Sequence, residues 1–163
     1  MKIHPIHILG SNAYIIETEN ELYLIDAGYP GFEKRILKKV HSLEKKLRLI
    51  ILTHAHFDHY KSAAAMRKAT GALIGIHSLD ADYLCQGTTP LDSVSILGLF
   101  GKLILPLAEK ITKPPPTPPD ILFEDNDSLD KYGLDAKIIH TPGHTSKIIR
   151  RQKVEKIPLT INE

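Results

Sequence analysis

Three histidines and one aspartate lie within six consecutive residues, 54–59, which read HAHFDH. The donors are His54, His56, Asp58 and His59, and they follow directly after the apolar run 49–52. Neutral imidazole nitrogens and carboxylate oxygens suit borderline cations such as zinc. Imidazoles this close repel one another when protonated, and a bound cation removes that repulsion. The stretch therefore predicts a metal site in preference to a chance cluster of surface histidines.

A further histidine, His144, lies at a second junction between a strand and a loop. Residues 136–140 alternate as in a strand, and residues 141–145 then read TPGHT. The Pro-Gly pair forces a tight turn that can aim one imidazole back over the sheet. Because loops that follow strands commonly carry the functional residues of α/β proteins, both histidine-bearing loops are candidates for one site.

The apolar pattern predicts the elements that must position these loops. Residues 13–18 and 22–25 are rich in β-forming residues, and the polar stretch between them is typical of a hairpin. The second run ends at Asp26, in the turn-rich sequence DAGYPG. Apolar residues at helical spacing then predict an amphipathic surface helix: Ile36, Leu37, Val40, Leu43 and Leu47.

The chain around the histidine cluster has the order strand, helix, strand. We predict a strand over 47–53, a helix over 62–70 that ends at Gly71, and a strand over 72–76. The apolar continuity of the last run indicates burial on both faces. This order is typical of a βαβ unit.

Size, charge and cysteine content limit the classes of protein and partner. The chain has 163 residues, enough for one domain with a real core. Its net charge of +2 gives no reason to expect nucleic acid or a membrane surface as partner. The single cysteine, Cys85, excludes an internal disulfide, suits a reducing cytoplasm and is interpreted as a packed residue. Without a secretory signal or a bilayer-spanning run, the protein is expected to be cytoplasmic.

Two segments and five other histidines allow alternatives. The proline run 114–119 is interpreted as a spacer, the alternative being a ligand for a proline-binding module. The apolar residues within 97–105 are interpreted as a packed helical insertion, the alternative being a lid over an apolar acyl or thioester substrate. The remaining histidines lack ligand-like spacing and are interpreted as surface or packed residues: His4, His7, His41, His77 and His140.

Together, the 54–59 stretch, the TPGHT segment and the strand that ends in Asp26-Ala27-Gly28 resemble the metallo-β-lactamase superfamily of hydrolases. The resemblance extends from about residue 12 to 145, most of the chain. It implies an α/β (α+β) fold, the αββα sandwich of that family, with metals at one edge of two sheets.

The resemblance also implies roles for the site residues. His54, His56 and His144 would hold a first metal, and Asp58 and His59 would contribute to a second. Asp26 would orient the ligands from behind, and Asp58 would act in catalysis by holding hydroxide and passing a proton. His56 stands where oxygen-reducing di-iron members usually have glutamate, which favours zinc and hydrolysis.

The chain departs from the family pattern after Thr145. The expected bridging carboxylate and final histidine have no recognisable counterpart in residues 146–163. We therefore expect a domain over 1–145, an atypical basic tail over 146–163, and a truncated sandwich whose second half is incomplete. One zinc site should form, with the second weak or absent. An exposed sheet edge would favour a homodimer.

Two functions follow from these expectations. The first is a zinc-dependent hydrolase that attacks an ester, thioester, lactone or amide bond of a small molecule through metal-activated hydroxide. The alternative is a catalytically impaired remnant of the fold that binds metal or a partner chain without turnover.

Overall fold

A computed structural model describes residues 1–8, 10–89, 115–141 and 148–152. The described strands are β1 (Lys2–Ile8), β2 (Ser11–Glu17), β3 (Glu21–Ile25), β4 (Lys46–Ile51), β5 (Leu73–His77), β6 (Ile121–Phe123), β7 (Lys137–Thr141) and β8 (Ile148–Gln152). The described α-helices are α1 (Glu33–Ser42), α2 (Phe57–Tyr60), α3 (Ala63–Thr70) and α4 (Ala81–Gln86). Short 3₁₀ turns occupy Ser78–Asp80 and Asp130–Tyr132.

Six of these strands form one mixed sheet, in the order β1-β2-β3-β4-β5-β6. Strands β1, β2 and β3 pair antiparallel, whereas β3, β4, β5 and β6 run parallel to one another. Strands β7 and β8 form a second, antiparallel sheet. The carboxyl ends of β3, β4 and β5 therefore meet at one edge of the large sheet, where loops from neighbouring strands can converge. The predicted α/β class is confirmed.

Two apolar cores lie on opposite faces of the large sheet. The helix-side core packs sheet residues such as Ile15 and Ile50 against Ile36 of α1 and Met66 of α3. On the other face, a second core joins Tyr23, Ile51 and Phe123 to residues after β6 and to Ile138 of β7. Burial on both faces explains why the central strands are continuously apolar rather than alternating.

Several predicted elements are confirmed. The hairpin is present, with Tyr14 of β2 opposite Ile25 of β3. The helix predicted over 62–70 is α3, and Gly71 ends it with a φ of 71°, its backbone N–H donating to the carbonyl oxygen of Arg67. The left-handed conformation of Gly71 is the usual way to end a helix. Strand β1 was not predicted.

Other interpretations need correction or lie outside the described residues. Cys85 is exposed, so its interpretation as a packed residue was wrong. In the proline run, Thr117 is buried and its backbone N–H donates to the carbonyl oxygen of Leu84, 2.9 Å away. The apolar segment 97–105 lies outside the described residues.

Within the described part of the chain, no helix is long and apolar enough to cross a membrane. Strand β8 lies within the predicted basic tail, and the boundary at 145 stays a prediction.

Gly75 of β5 lies against the ring of Phe123, a residue of the second core on the neighbouring strand β6. A Cβ at this position would lie 2.4 Å and 2.5 Å from Cε2 and Cζ of the buried Phe123 ring. We expect Gly75→Ala to lower the free energy of unfolding by about 1–3 kcal/mol, because the ring must move in a packed core. Urea denaturation measures the loss.

A second substitution tests the cause. Phe123→Leu shortens the obstructing side chain, so it should cost less stability in the Gly75→Ala background than in the native chain. Additive losses from the two substitutions would contradict the proposed clash. Leu73→Ala, on the same strand but 37% exposed, is the control for a general loss of strand stability.

Candidate metal centre

Four of the predicted donors, His54, His56, Asp58 and His59, lie on the loop and short helix that follow β4, the strand between β3 and β5. His56 is the N-cap of α2, and the backbone N–H of His59 donates to its carbonyl oxygen at 3.0 Å. This single helical turn folds the chain back, so donors from both of its ends face one region. His54, His56 and His59 are all buried.

The structure brings four of the five predicted ligands into one cluster. The ring centroid of His54 lies 4.5 Å from that of His56 and 4.1 Å from that of His59. Nε2 of His59 lies 3.4 Å from Oδ2 of Asp58. His144 lies outside the described residues. Within the described ones, no group of three or more histidine, cysteine, aspartate or glutamate side chains is arranged to hold a metal ion.

Asp26 lies behind this cluster at the end of β3 and organises it. Its carboxylate accepts hydrogen bonds from the backbone N–H of Thr53 at 2.8 Å and from Nδ1 of His59 at 2.8 Å. Its backbone has a φ of 57°, a conformation that costs energy outside glycine. A carboxylate on one imidazole nitrogen fixes the ring and points the other nitrogen forward, as behind many metal-binding histidines.

The Thr53 hydroxyl fixes the tautomer of His54. Its Oγ1 lies 2.8 Å and 3.0 Å from the two carboxylate oxygens of Asp26, which can only accept. The single hydroxyl proton is therefore donated to Asp26, and Oγ1 accepts from Nδ1 of His54 at 2.9 Å. With its proton on Nδ1, a neutral His54 has its lone pair on Nε2, the form in which imidazole binds metals.

The two central imidazoles differ in charge. Burial lowers the pKa of His54 to about 3, with the neighbouring His59 adding to the effect. For His59, burial also lowers the pKa, but the charge and hydrogen bond of Asp26 outweigh it and raise the pKa to about 10. Burial raises the pKa of the Asp58 carboxyl group, but the hydrogen bond and the charge of His59, with smaller contributions from a backbone hydrogen bond and from His56, together outweigh it and lower the pKa. In the metal-free protein His54 is neutral, whereas His59 is a cation beside two carboxylates.

The other histidines make separate contacts. Nε2 of His4 lies 2.9 Å from the carboxylate of Glu17, and Nδ1 of His7 lies 3.0 Å from Oδ1 of Asn12. His41 is exposed on α1. The buried His77 packs its ring 4.7 Å from that of His140.

Sequence reasoning missed three residues that support the loop. Thr53 links Asp26 to His54, and the Ser11 hydroxyl donates to the backbone carbonyl oxygen of Asp58 at 3.0 Å. The carboxylate of Asp80 accepts from the backbone N–H of Ala55 at 3.3 Å. Asp80 could have been found, because it follows a parallel strand next to the one that carries the histidines.

The protein is therefore an α/β protein in which the parallel strands of a mixed sheet end at a cluster of imidazoles and carboxylates. This places a polar site at the edge of the sheet. The model of the metallo-beta-lactamase superfamily matches residues 8–149, and the chain belongs to that superfamily.

Individual relatives show the same relationship. A probable metallo-hydrolase from Streptococcus pyogenes is 31% identical over 148 residues, which are 89% of this chain and 58% of the relative. A hydroxyacylglutathione hydrolase from Haemophilus influenzae is 26% identical over 89% of this chain and 62% of the relative. A solved beta-lactamase from Chitinophaga pinensis matches with a TM-score of 0.64 and 27% identity, over 85% of this chain and 48% of that one. The chain thus spans about half to three fifths of these proteins' length.

Members of this superfamily bind metal, commonly zinc. The donor set of this chain fits such an ion in its chemistry, because His54 is held in the neutral form with its metal-binding nitrogen specified. Asp58 supplies an ionised carboxylate, and His59 is oriented from behind by Asp26.

The pairing of Asp26 with His59 has a testable pH dependence in the metal-free protein. A histidine whose pKa rises on folding contributes stability that is fully present below its unfolded value near 6.5 and is lost as pH rises through about 10. We expect Asp26→Asn to lower the pKa of His59 and to flatten this loss of stability. NMR titration of the imidazole rings and urea denaturation in the presence of a chelator measure the two effects.

Asp82→Asn is the matched control, because Asp82 is an exposed carboxylate at the start of α4. It should leave the His59 titration unchanged. An unaltered pKa of His59 in the Asp26→Asn variant would show that the carboxylate does not hold the imidazolium.

Proposed function

We propose that this protein is a zinc-dependent hydrolase whose first metal is held by His54, His56 and His144. Asp58 and His59 contribute a second, weaker site. The observation that carries the proposal is the convergence of three buried imidazoles on one region, with His54 neutral and its tautomer fixed. Buried imidazoles without a ligand would serve packing poorly, whereas imidazole nitrogens and carboxylate oxygens are common ligands of zinc.

Zinc, when bound, supplies Lewis acidity and lowers the pKa of water to about 7, so that hydroxide is available at neutral pH. The residues supply orientation and proton transfer. Asp58 is ionised at neutral pH and half-buried, so its carboxylate can orient the nucleophile, take a proton and return it to the leaving group. Asp26 keeps His59 in place throughout, since it binds the imidazole nitrogen that faces away from Asp58.

The proposed substrate is a small molecule with an ester, thioester, lactone or amide bond. One relative is named a hydroxyacylglutathione hydrolase, which makes thioesters the first class to test. The net charge of +2 disfavours a polyanionic substrate such as nucleic acid. The single cysteine suits a reducing compartment, and we infer a cytoplasmic location.

Hydrolysis of a chromogenic thioester and ester panel, with and without added zinc, tests the proposal. We expect zinc-dependent turnover that His56→Ala reduces by two orders of magnitude or more, about the loss that follows removal of a group acting in the chemical step. His41→Ala is the matched control, because His41 is an exposed histidine on α1 and should keep full activity.

Metal content gives a readout independent of the substrate chosen. Mass spectrometry of protein purified with zinc and without chelator should find close to one zinc per chain. Less than about half an equivalent would count against the metal site.

A second candidate is supported by one observation. The described donors include no group of three or more already arranged to hold a metal, which favours weak or incomplete binding. In this case the chain binds metal or a partner chain without turnover. Full zinc loading with no hydrolysis across the panel supports this candidate over the enzyme.

We also propose that the chain self-associates through a sheet edge. Within the described residues, β8 has a neighbour on one side only, as do β1 and β6, and Leu122 of β6 is 55% exposed. Unpaired strand edges are templates for pairing with another chain. Light scattering on a size-exclusion column should give about twice the chain mass of 18.2 kDa. The mass of one chain at all concentrations tested would contradict the dimer.

A further inference from the structure

We propose that Asp80 is a positioning residue for the metal centre. Its buried carboxylate holds the backbone between His54 and His56 and so sets the directions of both imidazoles. The inference deepens the proposed function, and its metal readout depends on that function.

Asp80 comes from a different part of the fold than the loop it contacts. It ends the 3₁₀ turn after β5 and directly precedes α4. Its carboxylate oxygen Oδ2 accepts a hydrogen bond from the backbone N–H of Ala55 at 3.3 Å. Both residues have no exposed surface. An aspartate is rarely buried this completely, because a carboxylate removed from water needs compensating hydrogen bonds.

The placement of this bond within the loop gives it a specific role. Ala55 stands between the first two predicted metal ligands. Two residues earlier, the backbone N–H of Thr53 donates to Asp26 at 2.8 Å. Alternate N–H groups on either side of His54 are thus held by carboxylates, Asp26 from the end of β3 and Asp80 from the turn after β5.

The order of the strands explains why carboxylates hold this loop from both sides. Strand β4 lies between β3 and β5, so each neighbouring strand delivers one carboxylate to the loop that follows β4. The loop has no regular backbone pairing of its own over 53–56. Without Asp80 the Ala55 side of the loop would lose a buried acceptor, and the peptide units that carry His54 and His56 would gain freedom to rotate.

Substitutions at Asp80 separate the hydrogen bond from the charge. Asp80→Ala removes both, whereas Asp80→Asn keeps an oxygen that can accept from the Ala55 N–H. We expect Asp80→Ala to weaken zinc and cobalt binding by about tenfold or more, as for residues that orient ligands from behind. Asp80→Asn should stay within about fivefold of the native affinity, because a neutral acceptor weakens the bond only modestly. Competition with a chromophoric chelator measures both affinities.

Two control variants test whether a loss of metal affinity could come from removing a nearby charge or from destabilising helix α4. Asp82→Ala removes an exposed carboxylate two residues further on, and Leu84→Ala removes a fully buried side chain of the same helix. Leu84→Ala should lower the free energy of unfolding by about 2–5 kcal/mol and leave metal affinity unchanged. If Leu84→Ala weakens metal binding as much as Asp80→Ala does, the positioning role is overturned.

Hydrogen exchange of the Ala55 amide, followed by NMR in the metal-free full chain, gives a readout that does not need metal. Exchange should be faster in Asp80→Ala than in the native protein and close to native in Asp80→Asn. Unchanged exchange in Asp80→Ala overturns the inference. If the native chain binds no metal but the variants show these differences in Ala55 exchange, the proposed function is overturned, whereas the role of Asp80 in holding the loop is supported. If Asp80→Ala does not fold, Asp80→Ser, whose side chain is too short to bridge to Ala55, replaces it with the same expectations.

Discussion

The rest of the site depends on the hydrogen bonds that the carboxylate of Asp26 accepts. It accepts from the backbone and the hydroxyl of Thr53 and from the ring of His59, so one side chain joins the end of β3, the loop after β4 and helix α2. A buried carboxylate is stable only when donors surround it, and here every donor belongs to the segment that carries the predicted ligands. The positive φ of Asp26 shows that the fold tolerates local strain to place this group.

The turn after Asp26 extends the same constraint to the helices. The backbone N–H groups of Ala27 and Gly28 donate to the carbonyl oxygen of His59, at 2.7 Å and 3.1 Å, and the N–H of Ser62 donates to the carbonyl oxygen of Gly28. Gly28 has a φ of 72°, and a Cβ there would lie 2.5 Å from Cδ1 of Ile8. The DAG sequence therefore serves two purposes, since its acid orients the site and its glycine lets β1 pack closely over the turn.

The sequence predicted the parts of the fold that depend on local chemistry. The histidine cluster, the β2–β3 hairpin and the glycine that ends α3 each carry their signal within a few residues. Strand β1 was missed because Pro5 and two histidines interrupt its apolar pattern. Proline is acceptable there, since among the described residues β1 is an edge strand of its sheet. The burial of Cys85 was predicted wrongly because burial on a short helix depends on which face a residue occupies. The adjacent Leu84 lies on the buried face of α4, whereas Cys85 is exposed. The links from Asp26 to His59 and from Asp80 to Ala55 span 33 and 25 residues. The family resemblance implied the role of Asp26, whereas the contact of Asp80 depends on the order of the strands in the sheet.

In the metal-free cluster, a proton supplies part of the positive charge that the proposed metal would bring. Asp26 and Asp58 place two carboxylates against His59, and the raised pKa of His59 means that a proton partly neutralises them. The imidazolium leaves one negative charge uncompensated, and a divalent ion would compensate both carboxylates while His59 became neutral. Binding must then expel the proton from His59, so the same ion pair that stabilises the metal-free fold competes with the metal. Because His54 is already neutral, binding at this residue expels no proton, and we expect the proposed first site to fill before the proposed second.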